Sequence, residues 1–235
     1  APRPVLHVAT LELSARVSAS GERIAPLDEA AVRSGLVAMQ HEHGVTSLAI
    51  ALVHASASPE DEARVAELAS SLGFENVSVS HLIVPELGLL ARMGTTLVDA
   101  YVTPVLLAYV RALEAALPMA RIRFAQSSGA LAASSRVRGR DAVLSGPAGG
   151  VVATAAIARA LGVPAALGFD MGGTSTDVCR VTGEPELWNE GRVAGMLVRA
   201  PMMPVHTVAA GGGSICRIEG SRLVVGPESA GSVPG

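Results

Sequence analysis

The sequence predicts a mixed α/β fold, and three observations carry that expectation. Capped helical segments alternate with short apolar stretches up to Ser80. One of those stretches, Thr46 to Val53, is a continuous apolar run of strand length. From Gly139 onward the chain holds 18 of its 25 glycines, and β-like stretches there are split by closely spaced turns. At 235 residues the chain suits one large domain or two small ones, with enough length to bury a core.

Taken in order, Val5 to Ser18 has alternating stretches suited to a strand, Ser20-Gly21 makes a turn, and Arg23 to Leu27 returns. Asp28 caps a helix with Glu29 in its first turn and Gly44 just past its end. Ser58-Pro59-Glu60-Asp61 starts a second helix, with proline at the first position and acids at the positive dipole end, and Gly73 closes it. Val77 to Ser80 alternates as a short strand, so helix, strand, helix and strand follow one another as in an α/β layer. Leu89 to Leu117 is helical in pattern but interrupted by Gly94 and Pro104. Ile122 to Gln126 reads as a strand, Pro147 to Leu161 as a helix and Ala165 to Asp170 as a buried strand. Beyond it, turns at Gly172-Gly173, Gly183-Glu184, Gly195, Gly211 to Gly213 and Glu219-Gly220 predict hairpins.

Composition excludes several functions. Nearly half the residues are hydrophobic and only 17% are charged, which argues against disorder. A net charge of −3 and scarce aromatics give no footprint for a nucleic-acid partner. Arg, Glu or Pro interrupts each apolar run before membrane-spanning length, no signal peptide is evident, and Cys179 and Cys216 stand in unrelated contexts, so a reduced, cytoplasmic protein is expected. All 18 basic residues are arginine. The absence of lysine removes a lysine P-loop, a Schiff-base lysine, a Ser–Lys dyad and the protein-kinase lysine from this chain.

The sharpest motif is Gly168-Phe169-Asp170-Met171-Gly172-Gly173-Thr174-Ser175-Thr176-Asp177-Val178. Paired glycines let main-chain N–H groups approach an anion, and the three hydroxyl residues add donors. Asp170 and Asp177 can hold Mg²⁺, which takes one or two carboxylates together with phosphate oxygens. A plain hairpin is the alternative for the two glycines alone; acids at both ends favour phosphate. A second motif, Ser145-Gly146-Pro147-Ala148-Gly149-Gly150, reads as a glycine-rich loop opening a helix, a setting for an anion or simply for close helix–strand packing. The third is Val205 to Ile215, where Gly211, Gly212, Gly213 and Ser214 permit close backbone approach to a ligand and His206 is a candidate acid/base or ligand. His7, His54 and His81 are isolated, and His41 and His43 do not share one helical face. Arg136, Arg138 and Arg140 with Asp141 read as a solvated loop.

At these motifs the sequence resembles the hydantoinase A / 5-oxoprolinase family, whose members include ATP-dependent N-methylhydantoinase and the acetone carboxylase β subunit. Pro26-Leu27-Asp28-Glu29, Val84-Pro85-Glu86, Thr95-Thr96, Ala100-Tyr101-Val102, Gln126 to Gly129, Ser145 to Gly150, Asp170 to Val178, His206 to Ile215 and Val225 to Gly231 carry the resemblance in family order. It implies α/β lobes of the actin-like, ribonuclease-H-like ATPase group, incomplete here. Residues 1–97 would be the C-terminal part of the family's N-terminal domain, and 98–235 the N-terminal part of its ATPase domain. ATP and Mg²⁺ are the implied cofactors: Asp170 and Asp177 would serve as catalytic and metal-holding groups, and Gly172, Gly173, Thr174, Ser175, Thr176, Gly211, Gly212, Gly213 and Ser214 would bind nucleotide or phosphate. The implied activity is hydrolysis of a cyclic amide whose ring carbonyl is activated by ATP, with a hydantoinase B-like subunit as a possible partner. A ketone carboxylase subunit, a sugar-kinase-like phosphotransferase and a non-catalytic structural subunit are the rival readings. The family's earlier phosphate loop is absent, Leu90-Ala91-Arg92-Met93 stands where a Glu-Arg pair is usual, and Ser128-Gly129-Ala130 replaces Asn-Gly-Gly. Together with a start that lacks Met and a loop-like close at Val233-Pro234-Gly235, these departures suggest an internal fragment.

Overall fold

A computed structural model of the chain describes residues 6–193 and 195–231. Val5 and the closing Val233-Pro234-Gly235 lie outside the described residues. The chain divides into two compact units that interleave along the sequence. One comprises Ala1–Phe124, Ala132–Val143 and Asn189–Ala200, the other Ala125–Leu131, Leu144–Trp188 and Pro201–Gly235.

The first unit begins with an antiparallel pair, β1 (Arg16–Val17) and β2 (Arg23–Ala25), turning at Gly21 with φ +85°. The longer strand expected from Val5 to Ser18 shrinks to β1, because the residues from Leu6 onward run along the unit without a ladder partner. α1 (Glu29–His43) starts where the Asp28 carboxylate accepts the Ala31 N–H at 3.0 Å and stops at Gly44, left-handed at φ +63°. β3 (Ser47–Ile50), α2 (Glu60–Ser71) and β4 (Asn76–Val79) form a parallel βαβ unit with Ile50 opposite Val79. Pro59 rather than Ser58 occupies the cap of α2, and no side chain caps it. Val32, Leu36, Leu48, Ile50, Val65, Leu68, Phe74 and Val79 make the core of this layer.

After the short α3 (Ser80–Ile83), α4 (Leu89–Ala116) runs unbroken through both expected interruptions. Pro104 cannot donate to the Ala100 carbonyl one turn back, and Ser47 Oγ supplies that bond instead at 2.6 Å. Gly94 is needed for packing, since a Cβ there would stand 2.8 Å from the Leu197 carbonyl oxygen. α4 has 28 residues, and an 18-residue window within it has a mean hydropathy of 1.3, so by length and composition alone it is long and apolar enough to cross a membrane even though Arg92, Pro104, Arg111 and Glu114 interrupt its apolar run. Its buried face nevertheless carries Arg92 and Asp99, both hydrogen-bonded within this unit, as a core helix would. β5 (Arg123–Ala125) and β6 (Leu131–Ala133) lie where the chain passes between units, and a 3₁₀ turn at Ser134–Arg136 leads to α5 (Gly139–Ala142).

The second unit is α6 (Ser145–Leu161) laid on a three-stranded antiparallel sheet whose order is β11 (His206–Val208), β8 (Thr176–Thr182), β7 (Ala165–Met171). Ala148, Val151 and Ala155 of the helix meet Cys179, Val181 and Met203 in a small core. β9 (Gly191–Val193) and β10 (Met196–Val198) form a hairpin that belongs to the first unit, and β12 (Ser214–Glu219) pairs with β13 (Arg222–Ser229) across Gly220 in the second. Hairpins are therefore present at Gly172-Gly173, Gly195 and Gly220, whereas the turns at Gly183-Glu184 and Gly211 to Gly213 join strands that do not pair with each other. β7 is not the buried strand expected: only one face of its sheet is covered, by α6, and Leu167, Phe169 and Met171 on the other face are 75%, 68% and 56% exposed.

Candidate phosphate site

β7 and β8 are joined by Gly172 to Ser175, and their register sets Asp170 directly opposite Asp177. Two like charges on facing positions of an antiparallel pair repel, so the pair is tolerated better with a cation between them. Asp177 accepts the Thr207 hydroxyl at 2.6 Å, which orients it from β11. Alternation along β7 places Asp170 on the same face as Gly168, toward α6. A Cβ at Gly168 would come within 2.5 Å of Thr154 Oγ1 and Cys179 Sγ, so helix and sheet touch there. Nearer the start of α6 they part, and a cavity of about 210 Å³ is lined by Pro147, Gly150, Thr154, Asp170 and Asp177. The first two motifs thus meet. The Ser145 to Gly150 segment is not a loop, however, but the first turns of α6 itself. Its glycines are compatible with helix, and added Cβ atoms at Gly146, Gly149 and Gly150 would meet nothing.

Among the described residues, the N–H groups of Gly173, Thr174 and Ser175 have no protein acceptor, nor do the hydroxyls of Thr174 and Ser175. These five donors in three consecutive residues are suited to an anion. Gly172 N–H is used within the turn, donating to the Ser175 carbonyl at 2.9 Å. Thr176 is buried, and its hydroxyl donates to the Ala210 carbonyl at 2.6 Å, so its side chain braces the loop.

The triple-glycine loop lies against the same turn. Gly212 N–H donates to the Gly172 carbonyl at 2.9 Å and Gly213 N–H to the Gly173 carbonyl at 2.7 Å, while Gly211 N–H donates to Ser214 Oγ at 2.9 Å. A Cβ at Gly211 would stand 2.5 Å from the Gly172 carbonyl oxygen, and one at Gly213 would stand 2.9 Å from that of Gly173. These glycines allow one backbone to rest on another, and their N–H groups are spent in doing so. Ser229 and Ala230, which no motif argument singled out as site residues, complete the brace: Ala230 N–H donates to the Gly213 carbonyl at 2.7 Å, and Ser229 Oγ to that of Gly173 at 3.4 Å. Thr207 was also missed; the only sequence signal for it was its place beside His206.

His206 is not brought to the aspartates. It pairs with Val178, one residue out of phase with Asp177, and so points to the opposite sheet face, where it lines a separate cavity of about 420 Å³ with Arg180, Glu186 and Trp188. No group of three or more His, Cys, Asp or Glu suited to a metal occurs among the described residues. Two facing carboxylates beside unpaired N–H and hydroxyl donors nevertheless fit Mg²⁺ carried with phosphate, since phosphate and water supply its other ligands.

An acid-flanked glycine turn braced by a second glycine loop, on an α/β scaffold, is an arrangement suited to an anion such as phosphate. Comparison with known proteins gives the family. The hydantoinase/oxoprolinase family model matches residues 92–235, and that of the hydantoinase/oxoprolinase N-terminal region matches residues 3–73. The chain belongs to the hydantoinase/oxoprolinase family. It is 42% identical over 199 residues to 5-oxoprolinase 1 of Arabidopsis thaliana, covering 83% of this chain and 16% of that protein. It is 32% identical to the alpha subunit of caprolactamase from Pseudomonas jessenii, covering 95% of this chain and 33% of the relative. The crystal structure of the ATP-dependent caprolactamase from that organism matches with a TM-score of 0.79 over 95% of this chain and 33% of its own. Nucleotide-free acetone carboxylase, 24% identical, shares the fold with a TM-score of 0.78 over 93% of this chain and 32% of its own. The chain therefore spans between a sixth and a third of the length of these relatives.

Proposed function

We propose that this chain is the phosphate-holding part of an ATP-dependent hydrolase acting on cyclic amides. The observation that carries the reading is the Asp170–Asp177 pair facing across a turn with five unpaired donors. Sequence identity to a 5-oxoprolinase and to the alpha subunit of a caprolactamase supports the substrate class. Gly173, Thr174 and Ser175 would bind phosphate oxygens through N–H and hydroxyl groups, with Gly172 shaping the turn. Thr176 and Gly211 to Ser214 would contribute by fixing that turn. Asp170 and Asp177 would hold Mg²⁺, which when bound supplies charge neutralisation on the phosphates. The protein's own share is preorganisation: donors already oriented cost little to reorganise as charge moves. His206 is a candidate acid/base or ligand in the cavity on the other sheet face.

The finer architecture belongs to the same proposal. The lobes are of the actin-like, ribonuclease-H-like ATPase type, with 1–97 from the family's N-terminal domain and 98–235 from its ATPase domain. A hydantoinase B-like partner fits a relative that is itself named as an alpha subunit, and the proposed compartment is the cytoplasm. The test is Mg·ATP binding and turnover by the full-length protein with a cyclic amide present. Asp170→Ala is expected to remove most turnover, and full turnover by that variant overturns the assignment.

A further inference from the structure

The parallel pair β3–β4 of the first unit has a free edge. The Thr46 carbonyl accepts the Asn76 N–H at 3.4 Å, and Leu48 stands opposite Val77 and Ile50 opposite Val79. That parity turns the main-chain groups of Thr46, Leu48 and Ile50 toward β4. Ser47, Ala49 and Ala51 turn theirs the other way. Among the described residues their N–H groups find no acceptor, and β3 pairs with β4 alone. A bare edge of this kind is a template for another strand.

An apolar cavity of about 320 Å³ lies along that edge. Residues 47–52 line it from β3 and the turn after it, and Met93, Leu97 and Tyr101 line it from successive turns of α4. No Asp, Glu or Arg faces it, and the Ser47 hydroxyl is already spent on the Ala100 carbonyl. Leu6 to Leu11 and Leu13 line it as well. This segment carries unspent backbone of its own. From Ala9 to Ala15 half-buried and exposed residues alternate with the period of a strand. Yet no main-chain group from Leu6 to Ser14 is hydrogen-bonded among the described residues. A small apolar molecule would fill the space and leave these N–H and C=O groups unpaired, at a cost in free energy. An extended chain fills the space and pairs with them.

We propose that an extended, uncharged segment of the full-length polypeptide, from outside residues 1–235, adds as a strand to the free edge of β3 and fills this cavity. The inference concerns the first unit alone and does not depend on the hydrolase reading. The chain spans a sixth of the 5-oxoprolinase relative and a third of the caprolactamase structure, so the relatives carry ample further chain from which such a strand can come. A segment tethered in cis acts at a high effective concentration and keeps the edge permanently covered, whereas an edge held open for a transient visitor invites aggregation. Main-chain pairing supplies the affinity, and the apolar lining selects the side chains that point inward. To match the four residues of β3 the added strand needs about 13 Å of extended chain.

The test uses the full-length protein. Hydrogen exchange read by mass spectrometry is expected to show the amides of Ala49 and Ala51 exchanging about 10³-fold or more slowly than unstructured amides, as those of Leu48 and Ile50 do. Exchange at the unstructured rate overturns the proposal. A photo-reactive benzophenone amino acid in place of Tyr101, which is exposed and lines the cavity, identifies the occupant. The expected product keeps the mass of one chain on a denaturing gel, and its cross-linked peptide comes from outside residues 1–235. A product of twice the mass makes the occupant a second copy, and one joined to a different protein makes it a partner subunit. Cross-links confined to residues 1–235, or none from a folded variant, mean that no further strand sits there. Each of these three results overturns the proposal. If the Tyr101 variant does not unfold cooperatively, the probe is placed at Met93 and the same outcomes decide.

Discussion

The two units bury polar groups in opposite ways. In the first, charged side chains lie deep and are hydrogen-bonded: Glu62, Arg92 and Asp99 are each at most 1% exposed, Glu62 and Arg92 share Ser80 Oγ, and Asp99 accepts from Ser78 Oγ and the Arg140 N–H. In the second, the polar contacts around the glycine turns run between backbones, with the Thr176, Ser214 and Ser229 hydroxyls bonding to backbone as well, while the acids stay near the surface and a set of N–H groups is left over. Fully satisfied side-chain networks rigidify a core. Unpaired main-chain donors on a braced turn are what an anion needs. The difference separates a closed network of buried side chains from a turn whose main-chain donors are left open.

The largest effect expected from breaking this contrast is in the first unit. Arg92→Met leaves Glu62 buried without its cationic neighbour and should cost about 3–5 kcal/mol in denaturant unfolding. A loss under 1 kcal/mol means that Arg92 is not essential to the network. In the second unit the damage should be steric. Gly211→Ala drives a Cβ against the Gly172 carbonyl, and the loss should be about 1–3 kcal/mol, whereas Gly212→Ala, with its nearest neighbour at 3.8 Å, should be close to neutral. Equal destabilisation by the two substitutions contradicts the backbone-on-backbone account.

The smallest effect concerns charge. Burial, partly offset by Arg140 and reinforced by Asp99, pushes the Asp141 carboxyl above its usual value of 3.8. A raised carboxyl favours folding below its unfolded pKa and loses that contribution as pH rises through the folded value. Asp141→Asn should therefore raise the melting temperature modestly at neutral pH, with the gain shrinking as pH falls below about 4. A gain that persists unchanged at pH 3 rules out the electrostatic cause. Isothermal calorimetry of residues 1–235 with Mg·ADP should show weak binding or none. Sub-micromolar binding would mean that these residues alone hold a complete nucleotide site.

Much of the scaffold was legible because local chemistry agreed with the fold. Asp28 and Gly44 bound α1, and Gly172-Gly173, Gly195 and Gly220 mark hairpin turns, as their residue types require. α4 was read as broken because Pro104 normally ends a helix, and the rescue comes from Ser47, which is remote in sequence. The exposure of β7 was misread because an apolar strand looks the same whether or not something covers it. Within the site, the acids and glycines were visible as a motif, but the use to which each donor is put was not. Spacing cannot show that Gly212 and Gly213 spend their N–H groups on Gly172 and Gly173, or that His206 falls on the wrong face by one residue of register. The hydrogen bond between Glu62 and His81 had no signal either, since the two come together only through the packing of α2 on β4.

The central claim is that Asp170 acts by its charge at a phosphate-binding turn. Mg·ATP turnover by full-length Asp170→Asn tests it most directly, because the amide keeps the shape of the carboxylate and removes its charge. The predicted result is a folded protein whose turnover falls by about 10²–10³-fold, the usual cost of losing one well-placed electrostatic group. Turnover equal to that of the parent would contradict the account.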